Sequence, residues 1–253
     1  MLERLRKSQK QIVIGALILV AATYIPLFLS ADILEFFVNE DHLFENLTPV
    51  YFLITSILLF VAFFKLRSEP GNKGFFLKKL GLLGMALLFF VAAGEEISWG
   101  QRIFNIQTPE ELKEVNVQQE ITFHNLAFFQ GESQTLDFSQ LEMLFSLTLA
   151  FGIPFLGVIL KRINKNLDAI FPVFPIQIGF LVLVNYIIQK ILRNVVDLVP
   201  QYYLHPSMPF TEGLYEIREH ANALILMLSV FFYVLFLLST SKSEETIGAL
   251  EEA

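Results

Sequence analysis

The stretch Lys79-Leu80-Gly81-Leu82-Leu83-Gly84-Met85-Ala86-Leu87-Leu88-Phe89-Phe90-Val91-Ala92-Ala93-Gly94-Glu95-Glu96 decides the fold class. The 15 residues between Lys79 and Glu95 carry no charge. With apolar side chains all round, the segment reads as a buried or membrane helix, not as a helix that keeps one face in water. At 1.5 Å per residue it covers about 22 Å, less than the ~30 Å hydrocarbon core of a bilayer. Glu95 and Glu96 therefore fall at the outer boundary of that core. A carboxylate in mid-membrane costs on the order of 2.5–3.5 kcal/mol on insertion scales, and less near the edge. Two adjacent ones call for a partner, a cavity or a role. In the bland alternative, Lys78 and Lys79 reach back to water and the helix slides outward until both glutamates are wet.

Five further uncharged runs of spanning or near-spanning length lie at residues 12–30, 46–64, 143–160, 169–189 and 221–241. The composition agrees: 54% of the 253 residues are hydrophobic, 27 are Phe and only 17% are charged, beyond ordinary globular usage. No strand-length alternation recurs, which argues against a β-barrel. The expected architecture is an all-α, polytopic transmembrane bundle of six spanning helices with one long outer loop carrying short helices. Residues 1–241 form one transmembrane domain, and 242–253 form a polar, acidic, mobile cytoplasmic tail.

Basic residues mark the cytoplasmic side of such a bundle. With the N-terminus inside, cytoplasmic segments hold 13 of the 18 basic residues, and outer segments hold 18 of the 25 acidic residues and all four histidines. Both termini are then cytoplasmic, and the protein is a multi-pass resident of the cell membrane (the inner membrane of a bacterium). Arg4, Arg6, Lys7 and Lys10 before the first run resemble a signal peptide. The run is too long for one and no small-x-small cleavage site closes it. Zero cysteines exclude disulfides and thiolate chemistry, and a net charge of −7 argues against a nucleic-acid partner. The partners expected are the lipid bilayer and a lipid or membrane-embedded substrate.

Local signals set the expected boundaries. Thr48-Pro49 places a cap and a first-turn proline at the start of the second span. Thr108-Pro109-Glu110-Glu111 opens a short loop helix, and Thr211-Glu212 opens the last helix. Pro154, between Gly152 and Gly157, predicts a kink in the fourth span. Trp99, the one tryptophan, suits an interfacial anchor.

Polar residues gather toward the outer ends. Glu95 and Glu96 are joined by Glu216 and His220, an i, i+4 pair with Glu219 beside it. Glu120 and His124 repeat that spacing if their segment is helical. Glu45 stands at the entrance to the second span behind Glu40-Asp41-His42, which reads as a solvated acidic turn. Asn185, Gln189, Arg193 and Asp197 form a drifting polar stripe, with Arg193 a counter-charge for a nearby glutamate. The candidate catalytic residues are Glu95, Glu96 and Glu120. His124, His220 and Glu216 are candidate ligands of a divalent ion such as zinc, since two imidazoles and a carboxylate suit zinc and leave a position for water. Gln101, Arg102, Asn125, Glu219, Arg193 and Glu45 are supporting residues. The structural alternative in each case is a hydrogen-bonded pair knitting helix ends and loops together, with His205 a loop residue.

Two resemblances follow. Gly94-Glu95-Glu96-Ile97-Ser98-Trp99-Gly100-Gln101-Arg102, followed by Glu120-Ile121-Thr122-Phe123-His124-Asn125, resembles segments of uncharacterised bacterial multi-pass membrane proteins. This likeness implies the fold and no activity. The order of elements is also similar to that of CAAX-type intramembrane proteases, with Glu-Glu-x-x-x-Arg, Phe-x-x-x-His and His-x-x-x-Asn on successive helices. Here the arginine comes two positions late, at Arg102, Glu120 stands four before His124, and His220 is followed by Asn222. Every spacing differs, and that family is not adopted.

Three functions fit these residues. One is an intramembrane hydrolase or transferase, with or without a metal, acting on a lipid, lipid-linked or membrane-peptide substrate. The others are a structural or binding protein, and a proton or cation transporter. A transporter site usually lies near the midplane, whereas these charges collect near one face.

Overall fold

The computed structural model describes residues 2–38, 42–66, 75–123, 125–130, 138–163, 176–196 and 210–251. Among them the regular structure is helical, with one isolated bridge, Asn116 to Leu126. The longer helices are α1 (Leu2–Thr23), α2 (Ala31–Val38), α3 (Leu43–Lys65), α4 (Phe75–Glu96), α5 (Phe138–Leu147), α6 (Ile153–Ile163), α7 (Ile176–Val196) and α8 (Phe210–Glu251). Among the described residues three stretches are long and apolar enough to cross a membrane: Asp32–Lys65, which contains α3, then Phe75–Glu96, and the Gly213–Leu235 part of α8.

The last helix is the central one. In its apolar window 72% of the residues are buried, against 17% in α4. Three apolar clusters form around it. Leu59, Ala62, Leu82, Ala86 and Phe89 of α3 and α4 meet Leu226, Val230 and Val234. Ala16 and Val20 of α1, with Leu181 and Val182 of α7, meet Ala221 and Ile225. Tyr24, Leu27, Val38 and Phe44 close over Leu214 and Ile217. Ala62 and Ala86 are fully buried, and the Ser56 hydroxyl donates to the Ala86 carbonyl at 2.8 Å. Small residues bring helix backbones close in this way where lipid removes the hydrophobic drive for association. Large apolar side chains instead face outward, including Ile18, Ile57, Leu88 and Ile191.

Several boundaries differ from the sequence reading. The second long helix starts at Leu43, behind His42, and Pro49 lies inside it. Thr48 is therefore no cap. Its hydroxyl donates back to the Phe44 carbonyl at 3.0 Å, the alternative a threonine takes within a helix. Pro109 is itself the cap of the short helix Glu110–Lys113, and α8 opens one residue before Thr211. Pro154 does mark a break: a π turn, Thr148–Gly152, separates α5 from α6. A proline that cannot donate to the preceding turn favours such a widened ladder. The acidic tail is helical through Glu251, so α8 runs for 42 residues, about 63 Å.

At the start of α4 the Lys79 ammonium sits 4.8 Å from the Phe63 ring centre and 5.5 Å from that of Phe75, an arrangement that suits a cation beside apolar surface. At the other end the chain turns sharply. Ser98, Trp99 and Gly100 have φ of 48°, 54° and 76°, a left-handed run that two non-glycine residues adopt at about 1–3 kcal/mol each. The turn folds the Trp99 indole back over α4. A Cβ at Gly94 would meet that ring at 2.8 Å. Gly94→Ala should thus displace the indole and destabilise the turn by about 1–3 kcal/mol. Tryptophan emission would report it, and an unchanged spectrum and melting curve would refute the close approach.

Candidate functional site: carboxylates around Arg218

Five glutamates from four helices gather at the Glu96 end of the bundle. Glu96 ends α4, Glu45 lies in the first turn of α3, Glu142 in α5, and Glu216 and Glu219 near the start of α8. The other four carboxylates all lie within electrostatic reach of Glu96. Each of the five is partly buried.

Arg218 is the cation paired with two of them, Glu142 and Glu219, with its side chain 4% exposed. Its Nη2 donates to Glu142 Oε2 at 3.2 Å and to Glu219 Oε1 at 3.1 Å. Asn222, one turn further along α8, donates from Nδ2 to Glu142 Oε1 at 2.9 Å. Two donors spaced i, i+4 thus hold both oxygens of one carboxylate, as helical geometry allows. Behind them Asn185 of α7, fully buried, donates from Nδ2 to the Arg218 carbonyl at 3.0 Å and to Asn222 Oδ1 at 2.8 Å. The hydroxyl of Tyr24, the residue after α1, donates to Asn185 Oδ1. A hydrogen-bonded chain therefore runs from Tyr24 through Asn185 and Asn222 to Glu142, and it orients the carboxylate from two helices away.

Glu142 stands just before the apolar run 143–160, with its side chain 19% exposed. Burial pushes it up to about 7 and the neighbouring Glu219 carboxylate adds to the rise, while Arg218 and the Asn222 hydrogen bond pull it down. A carboxyl group in that range can both give and take a proton at neutral pH.

The neighbouring glutamates Glu95 and Glu96 separate. Glu96 joins the helix cluster, whereas Glu95 turns to the loop. Its Oε1 accepts from the Trp99 indole N–H at 2.7 Å and its Oε2 from the Phe123 N–H at 2.6 Å. Glu120 also belongs to the loop and accepts from the Ser98 hydroxyl at 2.6 Å. The segment around it is not helical: Gln119 has φ 59°, and the Asn116–Leu126 bridge closes the segment. Glu120 and His124 are therefore not an i, i+4 pair on a helix. Gln101 and Asn125 are loop-builders, Gln101 accepting from the Ile121 N–H and Asn125 donating to Gln118.

His220 is buried and lies flat on Phe44, with ring centres 4.0 Å apart and planes 19° apart, while Tyr51 lies 5.2 Å away. Residues two apart on a helix point about 200° apart, so His220 faces α3 while Arg218 faces the opposite side. Glu216 shares the His220 face. Among the described residues no group of three or more His, Asp or Glu gathers closely enough to hold a metal ion. His124, Glu40, Asp41, Asp197 and His205 lie outside the described residues, as does the Arg102 side chain. Arg193 engages Tyr215, with Nη1 donating to its hydroxyl at 2.7 Å. Arg218 packs over the same ring at 5.1 Å.

Arg218, Glu142, Asn222 and Tyr24 are absent from the sequence-derived candidates. Three of them left a signal. Glu142 borders an apolar run just as Glu95 does, and Arg218 and Asn222 share the i, i+4 spacing noted for Glu216 and His220. No family model, no curated protein and no solved structure matches the chain.

Proposed function

We propose that the chain is a multi-pass membrane protein with cytoplasmic termini, and that its carboxylate cluster performs metal-free acid–base catalysis on a substrate reaching it from the bilayer. The reaction class is hydrolysis or group transfer on a lipid or lipid-linked molecule. One observation carries this reading: Glu96, at the tip of a spanning helix, shares its surroundings with four other carboxylates, one of which, Glu142, is paired with the buried Arg218 guanidinium. Carboxylates crowded at low dielectric cannot all ionise, so the set divides into proton donors and acceptors. Glu142 and Glu96 take those roles, and Arg218 stabilises negative charge developing on the substrate. Glu95, Glu120 and Gln101 position the loop beside the site.

The test uses purified protein in vesicles made from the lipids of its host membrane, with products followed by mass spectrometry. A lipid species that the wild type converts, and that Glu96→Gln and Glu142→Gln leave intact, supports the reading. No conversion of any lipid by the wild type would refute it.

Orientation has its own test. Because the chain lacks cysteine, single cysteines are clean reporters. Those at Lys113 and His42 should react with an impermeant thiol reagent in intact cells, and those at Lys65 and Glu245 only after lysis. Labelling of the Glu245 site from outside would refute the topology.

A further inference from the structure

The loop that follows α4 has its polarity reversed. Among the described side chains between residues 97 and 128 the buried ones are polar: Ser98, Thr108, Asn116, Thr122 and Asn125. They are bonded to one another and to the backbone. Asn116 Nδ2 donates to the Thr122 carbonyl at 2.9 Å, and its Oδ1 accepts from the Gln118 and Glu120 N–H groups. The Thr108 hydroxyl donates to the Gln119 carbonyl at 2.7 Å. The large apolar side chains point away from this network. Ile103 and Phe104 are each 72% exposed, Phe123 70%, Phe128 68% and Val117 62%.

In water such an arrangement would be inverted, because burial of apolar surface is what drives a loop to fold. A hydrogen-bonded polar centre with apolar side chains outside suits a medium that cannot itself hydrogen-bond. The exposed charged and amide residues Glu110, Glu111, Glu114, Gln118 and Gln119 give the loop a polar side as well, so it fits the boundary between lipid chains and headgroups, not the hydrocarbon centre. The loop also continues a lipid-facing surface. Leu87, Leu88, Phe90 and Val91 of α4 are exposed, and the chain passes from them through Glu96 into Ile97 and Trp99, which are exposed too. The two Glu95 hydrogen bonds then fasten the loop to the end of α4.

We propose that the segment 97–128 is an interfacial platform inserted among the lipids, with Ile103, Phe104, Val117, Phe123 and Phe128 in contact with acyl chains. The inference rests on the membrane reading of the chain. The platform lies beside Glu96, on the route by which a lipid would approach the carboxylate cluster.

Trp99, the single tryptophan, is a built-in reporter, and the absence of cysteine permits spin labels at chosen positions. The protein is reconstituted into phosphatidylcholine vesicles, with and without lipid carrying bromine on its acyl chains. Separate samples carry a nitroxide at Phe104→Cys, Phe123→Cys or Leu88→Cys. None of these side chains is buried, so labelling should not disturb folding. The expected result is Trp99 emission lost to the brominated lipid, with the nitroxides at 104 and 123 relaxed more by oxygen than by a water-soluble nickel chelate, as at 88. Relaxation dominated by the nickel chelate at 104 and 123, with oxygen dominant at 88, would place the loop in water and overturn the platform alone. Protection from both reagents at 104 and 123 would mean that protein covers the surface, and would overturn it in favour of a partner chain. Nickel dominance at 88 as well would overturn the membrane reading and the platform together.

Discussion

Arg218→Met is expected to destabilise the protein by about 3–5 kcal/mol, the usual effect of removing one partner of a buried ion pair. The arginine side chain is 4% exposed and that of Glu142 19%, so water cannot replace the lost guanidinium. Methionine fills similar space, and the loss will therefore be electrostatic in origin. The contact with Glu219, whose side chain is 38% exposed, contributes little by comparison. Adding Glu142→Gln should recover much of the loss, because the amide keeps the Asn222 hydrogen bond and carries no charge. The pH dependence checks the assignment. Burial raises Glu142 to about 7, so the folded state holds its proton more tightly than the unfolded chain does. The associated stability is fully present below about 4.5, declines as pH rises toward 7 and is level above that. Glu142→Gln should flatten this slope, and Arg218→Met should steepen it and extend it to higher pH. Thermal melts in detergent from pH 5 to 8 would measure all three. An Arg218→Met variant as stable as the wild type, with an unchanged slope, would show that the pair does not hold the cluster together.

The second large effect separates two adjacent glutamates. Glu96→Gln is expected to abolish the lipid conversion while leaving the melting temperature unchanged or higher. It removes one ionisable group from a crowd of five and keeps the shape of the side chain, and sites built for function store unfavourable electrostatics. Glu95→Gln should do the reverse. Glu95 accepts from two donors, the Trp99 indole and the Phe123 N–H. An amide presents one oxygen and one NH2 where two acceptors are needed. One charge-assisted bond is lost, about 1.5–3 kcal/mol, and the loop loosens from α4. Earlier melting and a red-shifted Trp99 emission would report it, with conversion reduced but measurable. If both variants melt early, the cluster is architecture and the catalytic reading falls. If Glu96→Gln leaves conversion unchanged, Glu96 takes no part in the chemistry.

The sequence carries the helices and the end of the bundle at which polar groups meet. Runs of uncharged residues can be read one segment at a time, and the boundary glutamates Glu95 and Glu96 stand out against their apolar neighbours. Boundaries failed where two local rules competed. Thr48-Pro49 has the form of a helix start, yet α3 begins at Leu43, because packing of Phe44 against Leu214 and Ile217 outweighs a proline placed in the second turn. Glu120 and His124 have helical spacing in a segment that Asn116 folds as a closed loop.

The apolar, helical character of the chain and the acidity of one end can be read from the residues alone, since both follow from composition within single segments. Which charges meet depends on how distant helices pack. Arg218 lies 76 residues from Glu142 and Asn222 lies 80 from it, and no local spacing encodes that distance. The fold also parts Glu95 from Glu96. Neighbours on a helix project about 100° apart, so one carboxylate turns toward the loop and the other toward the bundle.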